Sequence, residues 1–490
     1  MKATTPLTLK TFLLLAASIM IVVACQERPA NKPYAEPEVT TGGPLTAATP
    51  CECEDSWFPH TQTPPPAEGT GSPFDTSSTT ICIFHQWSWQ KFLYLTKPQS
   101  NGFPLWLNQL AFVDEKMQPV QPQLGIGLVL SSTGQAGGGG VLKTDPDFNP
   151  SVGTAQTVYY SIQANDVLIN AGKSYAQQIA SGSLAPNNSQ TFPVNSLEVK
   201  GAWVSSDAIP SSEIANYYTV DAAVIQNNGS YAKENVALLG LHVVGRVINH
   251  PEFIWATFEH KSMGPDFDWD TGVMSASASS NELVFGTGST NTLDGIQQAS
   301  GSTAPKTADQ AYTLFDLGVP RAQGNQFIAT SQQNEPTSNY DEVVSINACV
   351  AGKLTDVWNN YFYKGSVWVN MDGLTTQQQA QLLIDAGKDL YLADPGKPLR
   401  GCVGLSNLSM ETYQQTFASS ISQTSDLTYN SNCFACHSAE SFASGNPKSP
   451  LYLSHIFDGY LSAQEGKSLV EIRRLKTEQH DQFRKALGMN

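Results

Sequence analysis

Cys433-Phe434-Ala435-Cys436-His437 sets two thiols two residues apart with an imidazole directly after them. That order of groups suits covalent attachment of a c-type haem. Each thiol adds to one vinyl group on a porphyrin edge, and the histidine reaches the iron from one face. Cysteine is scarce, eight in 490 residues, so the pattern is not a by-product of abundance. Two other chemistries use neighbouring cysteines. A redox dithiol sits between strand and helix of a βαβ unit, whereas the polar run from Gln423 to Asn432 before Cys433 reads as loop. A tetrahedral zinc site needs two further ligands, and the chain has no second C-x-x-C and no H-x-x-x-H pair.

If His437 takes one face of an iron, the other face needs a thioether, an imidazole or an open position. The only methionine after the motif is Met489, next to last in the chain, where termini fray. Met410, 23 residues before Cys433, is the candidate thioether ligand. His260 and His455 are the weaker candidates, and either would give a bis-histidine site of lower potential. An open position would leave room for a small ligand and for catalysis.

Attachment of haem c takes place outside the cytoplasm, so an export signal is expected. Lys2 and Lys10 precede an apolar run from Phe12 to Ala24, short for a membrane-spanning helix and suited to a signal peptide. Its end, Val22-Val23-Ala24-Cys25, resembles the lipobox of bacterial lipoproteins. That resemblance makes residues 1–24 a signal peptide and Cys25 the lipidated first residue, anchored by acyl chains. The expected location is the cell envelope, lipid-anchored at the outer membrane and facing the periplasm, with the cell surface as the alternative. Without residues 1–24 the chain carries 25 basic and 43 acidic residues, a net charge of −18. So acidic a surface excludes nucleic acid and electrostatic adsorption to anionic lipid, and it fits a redox partner with a basic docking face.

Residues 25–79, rich in Pro, Thr, Ala and Glu, read as a tether that builds no core of its own. Residues 80–400 read as a β-rich body with an N-terminal helix. In that helix Cys82, His85, Trp89 and Phe92 share one face; a hydrogen-bonded core histidine is the ordinary reading of His85, a haem contact the rarer one. Val158–Ile162 and Leu197–Val204 read as strands. Leu239–Ile248 and Phe253–His260, joined by Asn249-His250-Pro251-Glu252, read as a hairpin whose second strand turns Ile254, Ala256, Phe258 and His260 to one face. Asp266, Asp268 and Asp270 alternate like calcium ligands, but Thr271 and Ser277 stand where an EF-hand loop needs Gly and Glu. Residues 401–490 read as a mainly helical haem-binding region of cytochrome c type, with a helix start near Asn407 or Ser409 and a basic amphipathic helix at 467–487. The fold class is therefore α+β.

Trp87–Leu95, Leu239–His260, Leu405–Tyr413 and Cys433–His437, in this order, resemble a family of bacterial exported mono-haem cytochromes c. The likeness is scattered over residues 82–460, and it implies one covalent haem c and an envelope location without naming a reaction. Two functions follow: an electron-transfer lipoprotein, or a haem oxidoreductase with its substrate pocket in the β-rich body. Once Cys25, Cys433 and Cys436 are set aside, Cys51, Cys53, Cys82, Cys349 and Cys402 remain, an odd number, with Cys349–Cys402 the preferred disulfide.

Overall fold

In this computed structural model the described residues are 50–75, 81–136, 141–144, 146, 148–263, 297–298, 339–387, 398–402, 405, 407–410, 432–443 and 445–486. The strands are β1 Ala111–Val113, β2 Val129–Leu130, β3 Leu142–Lys143, β4 Tyr159–Ala164, β5 Leu197–Ser205, β6 Thr219–Ile225, β7 Tyr231–Gly245, β8 Ile254–His260, β9 Gln297–Gln298, β10 Tyr361–Val369 and β11 Leu399–Gly401. The helices are α1 Ile81–Thr96, α2 Leu105–Gln109, α3 Asp166–Ala180, α4 Asn339–Ala351, α5 Thr376–Ala386, α6 Cys433–Cys436, α7 His455–Gln464 and α8 Leu469–Ala486. Among the described residues the fold is a mixture of helix and mainly antiparallel sheet, α+β as the sequence indicates.

The main sheet runs β1-β4-β5-β7-β8-β10-β11, with β6 on the first half of β7 and β2 parallel to β6. The expected hairpin is β7 and β8, in antiparallel register from Gly240↔Glu259 to Gly245↔Ile254. Both strands are apolar enough to be buried on two sides, as central strands must be.

Period-two alternation gives the sheet two unlike faces. One presents Ile254, Ala256, Phe258 and Tyr363 to α1. Phe92 stacks on Phe258 at 4.1 Å between ring centres, Trp89 meets Phe258 edge-on at 5.0 Å, and Phe258 lies 5.1 Å from Tyr363. Trp87 lies over Gly245, where a Cβ would meet its ring at 2.6 Å. The other face carries Glu198 and Lys200 of β5, His242 of β7, and Trp255, Thr257 and Glu259 of β8. The registers Lys200↔His242↔Thr257 and Glu198↔Val244↔Trp255 align them in rows, and all are buried.

α7 and α8 cover this second face near β5. Phe457 of α7 packs at Gly172 of α3, and Gly459 lets the helix rest on the Glu115 carbonyl. Arg473 of α8 binds the buried Glu115 carboxylate at 2.7 Å.

Three expectations need correction. The Pro-rich segment is no tether over residues 50–75. Trp57, His60, Thr63 and Phe74 are buried, and Glu68 receives Trp87 Nε1 and Lys91 Nζ at 2.8 Å each. A stretch that builds no core alone can still dock on one. The disulfides are Cys51–Cys82 and Cys53–Cys349, not Cys349–Cys402. The N-terminal segment brings its own thiols to α1 and α4, while buried Cys402 closes a backbone bond to Ser366 at the end of β11. Residues 407–410 are not helical and lie over the sheet, with Asn407 Oδ1 accepting from the Met410 N–H at 2.7 Å; the rest of the expected helix start, 411–413, lies outside the described residues, as do 414–431. The described residues, 50 onward, belong to one compact unit.

Candidate functional site

Cys433–Cys436 is a single helical turn, α6, capped by Asn432, whose side-chain oxygen accepts from the Phe434 N–H at 2.9 Å. An i, i+3 spacing on that turn puts both sulfurs on one side. Both cysteines are half-buried, whereas Phe434 between them is fully buried, with its ring 6.2 Å from Trp255. The turn is thus pinned to the sheet by its phenyl ring, with the two thiols half-buried beside it.

His437 follows at the end of the turn, 8% exposed. Its Nδ1 lies 2.8 Å from the carbonyl oxygen of Leu453. A carbonyl only accepts, so Nδ1 carries the proton and Nε2 keeps its lone pair. Burial first, and then the Lys200 ammonium, hold this imidazole well below the usual histidine range, the bond to Leu453 acting the other way. It is neutral, the form in which histidine binds a metal.

Two rings fix its plane. Trp255 lies 4.2 Å away at 45°, and His455 stacks at 3.8 Å and 24°. His455 is the first residue of α7 and gives its Nε2–H to the Cys436 carbonyl at 2.9 Å. One turn on, buried Asp458 accepts from the Ser441 hydroxyl at 2.6 Å and from the Phe442 N–H at 3.0 Å, which ties down the chain leaving the motif. Burial pushes the Asp458 carboxyl up to about 7, against those two hydrogen bonds. Leu453, His455 and Asp458 therefore brace the motif from one side, and Trp255 braces it from the sheet.

The other sequence candidates lie elsewhere. Two imidazoles on opposite faces of one iron would have ring centres roughly 6 Å apart with the metal between them, given metal–nitrogen lengths of about 2 Å. His455, stacked on His437, is instead its neighbour. His260 stacks on Tyr217 at 3.6 Å, and both its nitrogens are engaged, by Ser262 at 2.8 Å and the Asn216 carbonyl at 3.1 Å. Burial lowers it to about 4. It sits on the α1 face, opposite to Trp255. Met410 is fully buried with Tyr160, Leu239 and Leu408, in an apolar cluster separate from that of Phe434. His85 is a core residue, with Nδ1 2.7 Å from the Tyr363 hydroxyl. Cys25 and Asp266–Asp270 lie outside the described residues.

Sequence reasoning missed the polar floor of the site. His242 accepts from the Asn407 amide at 2.7 Å and is lowered to about 3, chiefly by burial. Glu259 accepts from the Ser409 N–H at 2.7 Å and pairs with Lys364 at 3.2 Å. The alternation Leu197-Glu198-Val199-Lys200 signalled a polar strand face, though not what would cover it.

Among the described residues no group of three or more His, Cys, Asp or Glu side chains is placed to hold a metal ion. The motif does fit a cofactor that brings its own metal: two half-buried thiols on one side of a turn, and a neutral, braced imidazole with Nε2 available. No protein-family model, curated protein or solved structure matches the chain.

Proposed function

We propose that this chain is a c-type cytochrome of the bacterial cell envelope, a lipoprotein that carries one covalent haem and transfers electrons. The observation that carries the reading is the Leu453 carbonyl on His437 Nδ1, which commits that nitrogen and leaves Nε2 for iron. Outer partners of this kind orient a ligating histidine and raise its basicity. Cys433 and Cys436 would hold the porphyrin edge, and His437 would be the axial ligand. Haem, when bound, supplies a one-electron iron couple. Trp255 and His455 keep the imidazole plane from rotating, and Asp458 holds the chain beyond it. The mainly helical stretch that follows the motif, α7 and α8, is the part of the chain we liken to a cytochrome c haem region.

The decisive test is retention of haem through denaturation. Haem should stay with the unfolded polypeptide through acid and organic extraction, and the Cys433→Ala/Cys436→Ala variant should lose it. Wild-type protein from which haem is freely extracted would end the c-type reading. The anchor is tested separately: a labelled fatty acid should mark the wild-type chain and not Cys25→Ser.

A second reading, a haem oxidoreductase, is favoured by the buried polar sheet face beside the motif, where neutral His242 and Lys200 share a row. Carbon monoxide binding separates the two. A ferrous protein that binds it at once has an open or labile iron and is the enzyme; one that does not is the electron carrier.

A further inference from the structure

We propose that Lys200 and Lys476 form an anion subsite that receives the two propionates of the haem. The inference rests on the c-type reading and extends it to the opposite chemistry of the cofactor, its carboxylates.

In a chain of net charge −16, three cations gather beside the motif: Lys200 on β5, and Arg473 and Lys476 on α8. Arg473 is already committed. Its Nε and Nη2 reach Glu115 at 2.9 and 2.7 Å, and Nη2 also reaches the Ser132 hydroxyl at 3.0 Å. The lysines differ. The Lys200 side chain is 8% exposed, and its ammonium stands 3.8 Å from Glu198. The Lys476 ammonium stands 3.8 Å from Glu115, and it also lies over the Phe442 ring at 5.7 Å. Both separations exceed hydrogen-bond length. Each ammonium is thus held by one long ion pair, the Lys476 side chain being 17% exposed, and an ammonium has three donors with which to meet an arriving anion.

Position supports the same occupant. Lys200 is aligned with His242 on the sheet face that Trp255 shares, and Trp255 touches His437. The Lys476 ammonium lies over Phe442, whose ring is 5.8 Å from that of His455, the residue stacked on His437. Neither resident carboxylate excludes that occupant: Glu115 is shared between Arg473 and Lys476, and burial pushes Glu198 toward its neutral form. Two ammoniums held only by long ion pairs match in number the two carboxylates that a haem brings.

The test uses the full haem-loaded chain and reads its reduction potential. Glu198→Gln serves as the background, so that adding Lys200→Met does not strand a buried carboxylate. Loss of either lysine charge should lower the potential until the reduced-to-oxidised ratio falls about tenfold, about 59 mV for one electron. Lys200→Arg should leave the ratio within about twofold. Shifts below about threefold for both Lys200→Met and Lys476→Met, with haem still attached, would overturn the subsite. If the methionine variants do not fold, a crystal structure of the haem-loaded wild type decides. Propionate oxygens within about 3 Å of Lys200 or Lys476 Nζ support the proposal. Propionates turned to solvent, a different anion at the lysines, or Lys200 on the iron overturn it. Wild-type protein without covalent haem would instead mean that the c-type reading itself had failed.

Discussion

The two faces of the central sheet are buried to similar degrees and built from opposite chemistry. Against α1 the contacts are rings: Phe92 on Phe258, Trp89 on Phe258, Phe258 on Tyr363. Under the motif the buried residues are Glu198, Lys200, His242, Thr257, Glu259 and Lys364, with Asn407 and Ser409 crossing over them. Aromatic burial is favourable in itself. Buried charge is not, because desolvation takes back much of what pairing returns. The first face therefore accounts for stability. The second is costly to the fold, and the cysteine–histidine turn stands on it. Phe258 and Glu259, adjacent in β8 and pointing to opposite faces, embody the contrast.

The largest expected effects come from that pair. Phe258→Ala should destabilise the protein by about 3–5 kcal/mol in denaturant titrations, the usual cost of emptying an aromatic core position. Glu259→Leu should cost about as much, because it leaves Lys364 buried without its carboxylate. The two losses differ in kind. Adding Lys364→Met to Glu259→Leu should recover at least half of the second, while no single partner change repairs the first. A double variant as unstable as Glu259→Leu alone would show that charge is not what distinguishes the faces.

Acid should expose a property the faces share. His242 on the motif face and His260 on the α1 face are held neutral, near 3 and near 4, against an ordinary value of 6.5. When unfolded, both take a proton below pH 6.5; folded, they refuse it. Stability is thus unaffected above pH 6.5 and falls as the pH drops from 6.5 toward 4, by up to about 3 kcal/mol for each group. His242→Gln and His260→Gln should each flatten that slope by about one proton. Asp458, raised to about 7, has the opposite sign: its burial costs stability above pH 7, and that cost shrinks as the pH falls from 7 toward 4. Asp458→Asn should therefore steepen the acid loss. An unchanged slope in all three variants would mean that these groups are not buried as described.

How much of this was readable in the sequence differs by face. The α1 face was legible: the spacing of Cys82, His85, Trp89 and Phe92, and the hairpin of β7 and β8, are local patterns that tertiary packing did not override. The C-x-x-C-H order was visible at once because its five residues are contiguous in the chain. The support was not. Leu453 acts through its carbonyl, which no residue type announces, and Trp255 meets His437 only after a separation of 182 residues. Glu198 and Lys200 alternate with Leu197 and Val199 as on a solvated strand, and only the packing of α7 and α8 turns that face inward. The Pro-rich segment misled for a related reason: its composition forbids a core of its own but says nothing of docking through Cys51 and Cys53.

α7 offers a finer probe of how the motif face is closed. Gly459 meets the Glu115 carbonyl with no room for a Cβ, so Gly459→Ala should push the helix away and cost about 1–3 kcal/mol. Haem, if attached, should remain, because Phe434 still pins the Cys433–Cys436 turn to the sheet when the α7 brace is displaced. Loss of attachment in that variant would make α7 part of the attachment site.

The smallest effect is the most discriminating. His455 contributes a ring stacked on His437 and one hydrogen bond, to the Cys436 carbonyl. His455→Phe keeps the stack and removes the bond, and should cost about 1 kcal/mol. His455→Ala removes both and should cost more. Because the ring lies flat beside His437 and not across an iron from it, neither variant should alter the absorption bands of the haem-loaded protein or admit carbon monoxide where the wild type does not. If His455→Phe alone converts the ferrous protein to one that binds carbon monoxide, His455 is the sixth ligand, and the stacked arrangement must open when haem is attached. If the bands hold, His455 is a brace, and the chemistry of the second axial position has to be supplied by another part of the chain or left to an incoming ligand.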